Sequence, residues 1–298
     1  MSITSKTALT FEQMVRSLSY RMTRVFMPSI STSPSWVRSS SDNGYYPEFC
    51  KRAALSFRVF KNFKRSHAYR KILEHVKEEQ GGQYLQVIRR DNPALLDPGI
   101  WAKVRENDAI GNPYTFEFPV VGAASPTTLR YLKVCSDLKN LFGSLDGFSV
   151  AEIGAGYGGQ CLVIDKLWAT AEYRIYDLDP VLMLICRYLE HFLLRTRYIP
   201  LTLNRSLAAG EPLDLVISNY AFSELPRQLQ DRYLERIVLK ARRGYLTMNS
   251  GKDRSARGEV TAGELLNLIR GSVLLPEEPL TGRGNYIIAW GAKPPPAR

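Results

Sequence analysis

Glu152, Gly154, Gly156 and Gly158 stand where the run Phe148-Ser149-Val150-Ala151 breaks into the loop Gly154-Ala155-Gly156-Tyr157-Gly158-Gly159. A buried-type strand that opens into glycines behind a carboxylate makes a nucleotide-sized crevice in an α/β fold, because backbone approaches a ligand closely only where no Cβ intervenes. A second run, Tyr173-Arg174-Ile175-Tyr176, ends in Asp177, a carboxylate at the next strand tip that could accept both hydroxyls of a ribose. Leu213 to Ile217 reads as a further strand, ending in the polar cluster Ser218-Asn219-Tyr220. This pattern points to S-adenosylmethionine. In that reading Gly154, Ala155, Gly156, Tyr157, Gly158 and Gln160 form the loop against the methionine portion and Glu152 orients a water or an amino group. Asp177 and Leu178 meet the adenosine, and Ser218 and Asn219 lie where the methyl emerges.

The competing reading is a nicotinamide or flavin dinucleotide, since Gly154-x-Gly156-x-x-Gly159 also satisfies the glycine fingerprint and both ligands use an acid about 20 residues on. Glu152, two residues before the first glycine, would then face a pyrophosphate, which disfavours it. The long segment before the loop and an expected reversed C-terminal strand also favour the methyl donor.

Methylation of a hydroxyl requires that its proton leave as the oxygen attacks. Glu224, in Ser218-Asn219-Tyr220-Ala221-Phe222-Ser223-Glu224, is the first candidate base, with binding of substrate hydroxyls and a purely structural role as alternatives. Tyr220 is the second catalytic candidate. His67 and His75 read as helix-surface residues and no histidine pair has metal-ligand spacing. Asp177 and Asp179 could together hold magnesium, but the ribose and helix-capping roles account for both, so no metal ligand is assigned.

The elements that must position these residues alternate strand and helix along the second half of the chain. The pattern predicts a Rossmann-like α/β fold: a sheet of about seven strands, parallel except for the last, with helices on both faces. Tyr45 to about Gly81 reads helical, stopped by Gly81-Gly82, and 91–126 reads as turns and extended pieces marked by Asn92-Pro93, Asp97-Pro98-Gly99 and Gly111-Asn112-Pro113. Ser125-Pro126-Thr127 announces a helix carrying Leu129, Leu132, Cys135, Leu138 and Phe142 inward. Further helices are expected at 159–169, at 180–195 with His191 solvent-facing and Asp179 as N-cap, from Pro226 to Arg242-Arg243-Gly244, and at 262–270. Strands are expected at 245–248, 273–275 and 286–290. The resulting division is a basic N-terminal tail or helix over 1–44, a helical cap and connector over 45–127, and the nucleotide-binding domain over 128–298.

With 298 residues, of which 45% are hydrophobic, the chain can build a full core. No apolar run approaches the roughly 20 residues of a membrane-spanning helix. Cys50, Cys135, Cys161 and Cys186 lie far apart without a Cys-x-x-Cys pair, which fits reduced core thiols and a cytoplasmic setting. The net charge of +11 is partly concentrated early, where Lys6, Arg16, Arg21, Arg24 and Arg38 face the single acid Glu12. Only Pro294-Pro295-Pro296 is low in complexity.

Glu152 to Gln160, Ser218 to Glu224, and Asn107-Asp108 followed by Gly111-Asn112-Pro113 resemble the bacterial sugar O-methyltransferase family of class I S-adenosylmethionine-dependent methyltransferases. Thr128-Leu129-Arg130-Tyr131 and Gly284-Asn285-Tyr286 extend the resemblance to about 70–291. It implies methyl transfer to a hydroxyl of a sugar, nucleotide sugar or glycoside, often in polysaccharide biosynthesis, with Asn112, Tyr114 and Glu224 as candidate substrate-binding residues. Neither the particular sugar, metal dependence nor homo-oligomerisation follows from it. Two rivals remain. A nucleic-acid methyltransferase is suggested by the charge and by Asn219-Tyr220, yet no proline follows Asn219 and no basic stripe is interleaved with aromatics, so no nucleic-acid partner is expected. A non-catalytic scaffold is disfavoured by the intact glycine loop.

Overall fold

The computed structural model describes residues 44–205, 213–249 and 258–292. The expectations for the basic N-terminal tail and for Pro294-Pro295-Pro296 fall outside them.

Short helices begin the described chain: α1 (Tyr45–Leu55), α2 (Phe57–Phe60) and α3 (His67–Arg70), followed by the longer α4 (Glu78–Asp91) and α5 (Pro98–Val104). Two of these differ from the sequence expectation. Gly81 and Gly82 do not stop a helix; they lie near the start of α4, where a Cβ on Gly81 would come within 2.6 Å of Phe118. Glycine there lets the helix seat against a neighbouring ring. Asp97-Pro98-Gly99 starts α5 rather than a turn, since proline at the first helical position has no hydrogen bond to lose.

A small hairpin, β1 (Phe116–Phe118) and β2 (Gly122–Ala124), leads to α6 (Pro126–Phe142). The Ser125 side chain caps α6 by accepting from the Thr127 amide, and Leu129, Leu132, Cys135, Leu138 and Phe142 are all buried, as their spacing requires. Then follow β3 (Ser149–Ile153), α7 (Gly159–Leu167), β4 (Glu172–Tyr176), α8 (Asp179–Leu189), β5 (Arg197–Leu201), β6 (Leu215–Asn219), α9 (Arg227–Arg236), β7 (Arg243–Met248), α10 (Ala262–Leu268), β8 (Val273–Pro276) and β9 (Tyr286–Trp290).

The main sheet has seven strands in the order β5-β4-β3-β6-β7-β9-β8, and only β9 runs against its neighbours. This is the expected architecture. β5 was not legible: the helical reading ran on to residue 195, whereas α8 ends at Leu189, with Leu178 rather than Asp179 as its N-cap. β5 is an edge strand, which tolerates the missing amide of Pro200. Arg243 and Gly244 do not close α9 but begin β7, where the Trp290 ring lies on Gly244 so closely that a Cβ would sit 2.0 Å from it.

Successive strand residues feed opposite cores. Val150, Ile175, Leu215, Ile217 and Tyr245 face the side covered by α6, α7 and α8. Ala151, Ile153, Val216, Leu246 and Met248 face the side covered by α9 and α10. Both faces being covered explains why these strands read as nearly continuous apolar runs. The first core runs on into the N-terminal helices through Tyr46, Phe63 and Tyr69, so cap and sheet share one interior. All four cysteines are buried and unbridged.

Candidate active site at the sheet switch point

Strand order reverses between β3 and β6, because β4 and β5 extend to one side of β3 and β6 lies on the other. Loops leaving the carboxyl ends of such a pair must diverge, and the gap between them is where α/β sheets hold ligands. Gly154, Gly156 and Gly158 supply the loop after β3, with φ of 74°, 63° and 90°. These left-handed angles require glycine in practice, and two of the positions are also sterically closed. A Cβ on Gly154 would lie 2.1 Å from that of Ala221 after β6, and one on Gly156 would lie 2.4 Å from Leu73 of the cap.

Asp177 follows β4 and turns toward this loop. Its Oδ1 accepts from the Leu178 amide at 2.8 Å, and the amides of Gly156 and Ala155 also donate to the carboxylate. Burial nevertheless pushes it up to about 7, against the lowering effect of those amides.

Asn219 closes β6. Both polar atoms of its amide are buried and have no hydrogen-bond partner. Most buried amides are satisfied, so an orphaned one at the strand switch point is a place where a ligand's own polar groups would complete the set. Tyr220, the next residue, holds φ of 69°, a costly backbone conformation for a bulky side chain. Its hydroxyl donates to the buried carboxylate of Glu277, which also accepts from the Thr281 amide at 2.8 Å and from Asn285 Nδ2 at 3.1 Å. Tyr84, Arg130, Asn219, Tyr220 and Glu277 surround a cavity of about 20 Å³, room for a single water.

Gly154, Gly156, Asp177, Asn219 and Tyr220 are thus gathered at one edge, while other candidates are engaged in packing. Glu152 is buried beneath the loop, where Oε2 accepts from the Tyr173 hydroxyl at 2.9 Å and burial pushes it up to about 8. Gln160 is fully buried and donates to the Tyr131 carbonyl and to Cys135 Sγ. Ser218 Oγ donates to the Ile153 carbonyl and accepts from the Phe222 amide, joining β6 to β3. Tyr157 points away from the sheet edge to Asn107. Glu224 ends a short 3₁₀ turn (Ala221–Glu224), half-buried, with Oε1 accepting from Asn249 Nδ2 at 2.9 Å. Leu178 is half-buried beside Asp177.

Asn112 and Tyr114 lie in the cap. Asn112 donates from Nδ2 to Asn62 at 2.7 Å, and Tyr114 is exposed beneath the guanidiniums of Arg65 and Arg70. His191 is exposed, as expected, and stacks on Phe60.

Four participants were not singled out from the sequence: Leu73 over Gly156, Tyr84, Glu277, and the buried Lys64. For Glu277 a signal existed, because Gly284-Asn285-Tyr286 belongs to the family-like motifs and Asn285 is one of its donors. Leu73, Tyr84 and Lys64 carry no local signal, as only the docking of the cap brings them to the loop.

Among the described residues no three His, Cys, Asp or Glu side chains gather as a metal site would require, and no helix is long and apolar enough to cross a membrane.

No protein-family model and no curated protein matches the sequence. Solved structures do match. Magnesium protoporphyrin IX methyltransferase from Synechocystis PCC 6803 with bound S-adenosylmethionine is 13% identical, with 74% of this chain and 99% of that chain covered and a TM-score of 0.44. CalS10, an amino pentose methyltransferase from Micromonospora echinaspora, is 13% identical over 54% of this chain and 90% of its own, with a TM-score of 0.40. An rRNA methylase from Streptococcus thermophilus is 14% identical over 54% and 95%, with a TM-score of 0.39.

Proposed function

We propose that the protein is an S-adenosylmethionine-dependent methyltransferase acting on a hydroxyl of a sugar or glycoside. The observation that carries the reading is the unpartnered Asn219 amide at the switch point, beside left-handed glycines after β3 and with Asp177 at the tip of β4. Bound there, the cofactor would supply an electrophilic methyl group carried on a sulfonium. The residues present fit such a ligand: the left-handed turn that Gly154, Gly156 and Gly158 allow presents loop backbone to it, the Asp177 carboxylate accepts its ribose hydroxyls, and the Asn219 amide donates and accepts at its methionine end.

The sugar hydroxyl as acceptor follows from the family-like motifs, and its proton needs a receiver. Glu224 takes that role in our reading, since its carboxylate is held in place by Asn249 Nδ2 and lies one short turn beyond Tyr220. Tyr220 positions the strand tip. Asn112 and Tyr114 belong to the acceptor side, in the cap. The protein carries 45–127 as a cap and 128–298 as the catalytic domain, and its unbridged cysteines fit the cytoplasm.

Calorimetric titration with S-adenosylhomocysteine tests this directly. Wild type binds, Asp177→Ala does not, and Glu224→Gln binds but loses turnover on the acceptor. A chain that ignores S-adenosylhomocysteine yet takes up NADH tightly refutes the proposal.

A further inference from the structure

Next to the glycine loop the cap carries an open cleft of about 390 Å³, within the range of small-molecule sites. Its walls include Lys64, Arg70, Glu74, Lys77, Tyr114 and Thr127. It borders the loop without being part of it. Lys64 Nζ lies 4.2 Å from the Tyr157 ring centroid, and Leu73, the neighbour of Glu74, is the side chain seated over Gly156.

Glu74 gives this cavity its chemistry. Oε2 accepts from Thr127 Oγ1 at 2.9 Å, whereas Oε1 is buried and has no partner. Burial raises the carboxyl above its ordinary value, opposed by Lys64, so the surroundings leave the group short of donors. A ligand that fills the gap must bring a hydrogen-bond donor, and a hydroxyl is a neutral group that does so while keeping the cavity's positive balance. That balance comes from Lys64, Arg70 and Lys77 against Glu74 and Glu78. Arg70 also lies over the Tyr114 ring at 4.8 Å, which joins an aromatic surface to a charged one, the combination that suits a sugar ring bearing an anion.

We propose that this cavity binds an anionic sugar, phosphorylated or carboxylated, with one hydroxyl donating to Glu74 Oε1 and the charged group held by Arg70 and Lys77. Calling the bound sugar the methyl acceptor rests on the methyltransferase reading; the binding itself does not. The full-length chain is titrated calorimetrically with glucose 6-phosphate, glucuronate and glucose. The tighter charged probe binds at least about tenfold better than glucose and identifies which anion is preferred. Glu74→Gln and Arg70→Ala each weaken that probe by about tenfold, while Lys103→Ala, on the exposed side of α5, changes nothing. Arg70 is exposed, so its variant keeps the fold and the test does not hang on the buried glutamate alone. Equal affinity for glucose and both charged probes, or charged-probe affinity unchanged in both variants, overturns the site. Titrating the same samples with S-adenosylhomocysteine separates the two claims: cofactor binding without sugar binding removes only the cavity proposal, and sugar binding without cofactor binding removes only the methyltransferase.

Discussion

Asn107 Nδ2 donates to the hydroxyl of Tyr157 at 3.0 Å, fastening the glycine loop to the cap through one fully buried side chain. The same amide nitrogen donates to Thr128 Oγ1 on α6, and its Oδ1 accepts from the Tyr188 hydroxyl on α8 at 2.7 Å. Its carbonyl accepts from Lys64. Asp108 completes the joint by accepting from Thr128 Oγ1 and the Ser125 amide. Motif residues that resemble a family's signature thus serve here to hold loop, helices and cap in register.

Asn107→Ala takes the amide donor from the Tyr157 hydroxyl and leaves the Tyr188 hydroxyl only its longer bond to the residue-107 carbonyl at 3.3 Å. Each buried hydrogen bond lost costs about 0.5–1.5 kcal/mol, so the two together remove roughly 1–3 kcal/mol of stability. A urea midpoint unchanged from wild type would show that the network contributes nothing to the fold.

Glu152 makes stability depend on pH in a defined direction. The unfolded carboxyl titrates near 4.3 and the folded one at about 8, so the folded chain holds an extra proton between those values. Stability is therefore greatest on the acid side of this window and is lost as pH rises toward 8. Asp177, pushed up to about 7, adds a slope of the same sign that ends earlier. Glu152→Gln, which imitates the protonated form, should flatten the fall in melting temperature between pH 7 and 8. Parallel pH profiles for the two proteins would contradict this.

Gly154→Ala combines a backbone penalty with a clash. The left-handed φ costs roughly 1–2 kcal/mol for an L-residue and the contact with Ala221 adds about 1–3 kcal/mol. Adding Ala221→Gly removes the contact but not the backbone strain, so the double variant recovers part of the loss in a thermal melt. Full recovery would mean that φ at this position is free to relax.

Tyr220→Phe removes the donor to Glu277, leaving a buried carboxylate with Thr281 and Asn285 only. The expected cost is about 1–2 kcal/mol in chemical denaturation. Because the hydroxyl also anchors a backbone at positive φ, the variant should lose affinity for S-adenosylhomocysteine through the neighbouring Asn219, without direct loss of a ligand contact. Stability and affinity both equal to wild type would remove Tyr220 as the anchor of the strand tip.

Sequence alone determined the alternation of strand and helix, the glycine loop behind Glu152, Asp177 at the next strand tip and the reversed last strand. These are readable because each is encoded locally, in apolar runs that end in residues with special backbone freedom or charge. The edge strand β5 escaped since Pro200 and the flanking arginines lack an apolar pattern, and Gly81-Gly82 looked like a stop because the ring of Phe118 that needs the space is distant in sequence. Only tertiary structure decided which polar groups are spent and which are left over. Ser218, Gln160 and Glu152 find partners across the sheet or beneath it, whereas Asn219 and one oxygen of Glu74 do not. Satisfaction of a buried group depends on neighbours tens of residues away, so it emerges when the cap packs on the sheet and cannot be seen in the order of residues along either.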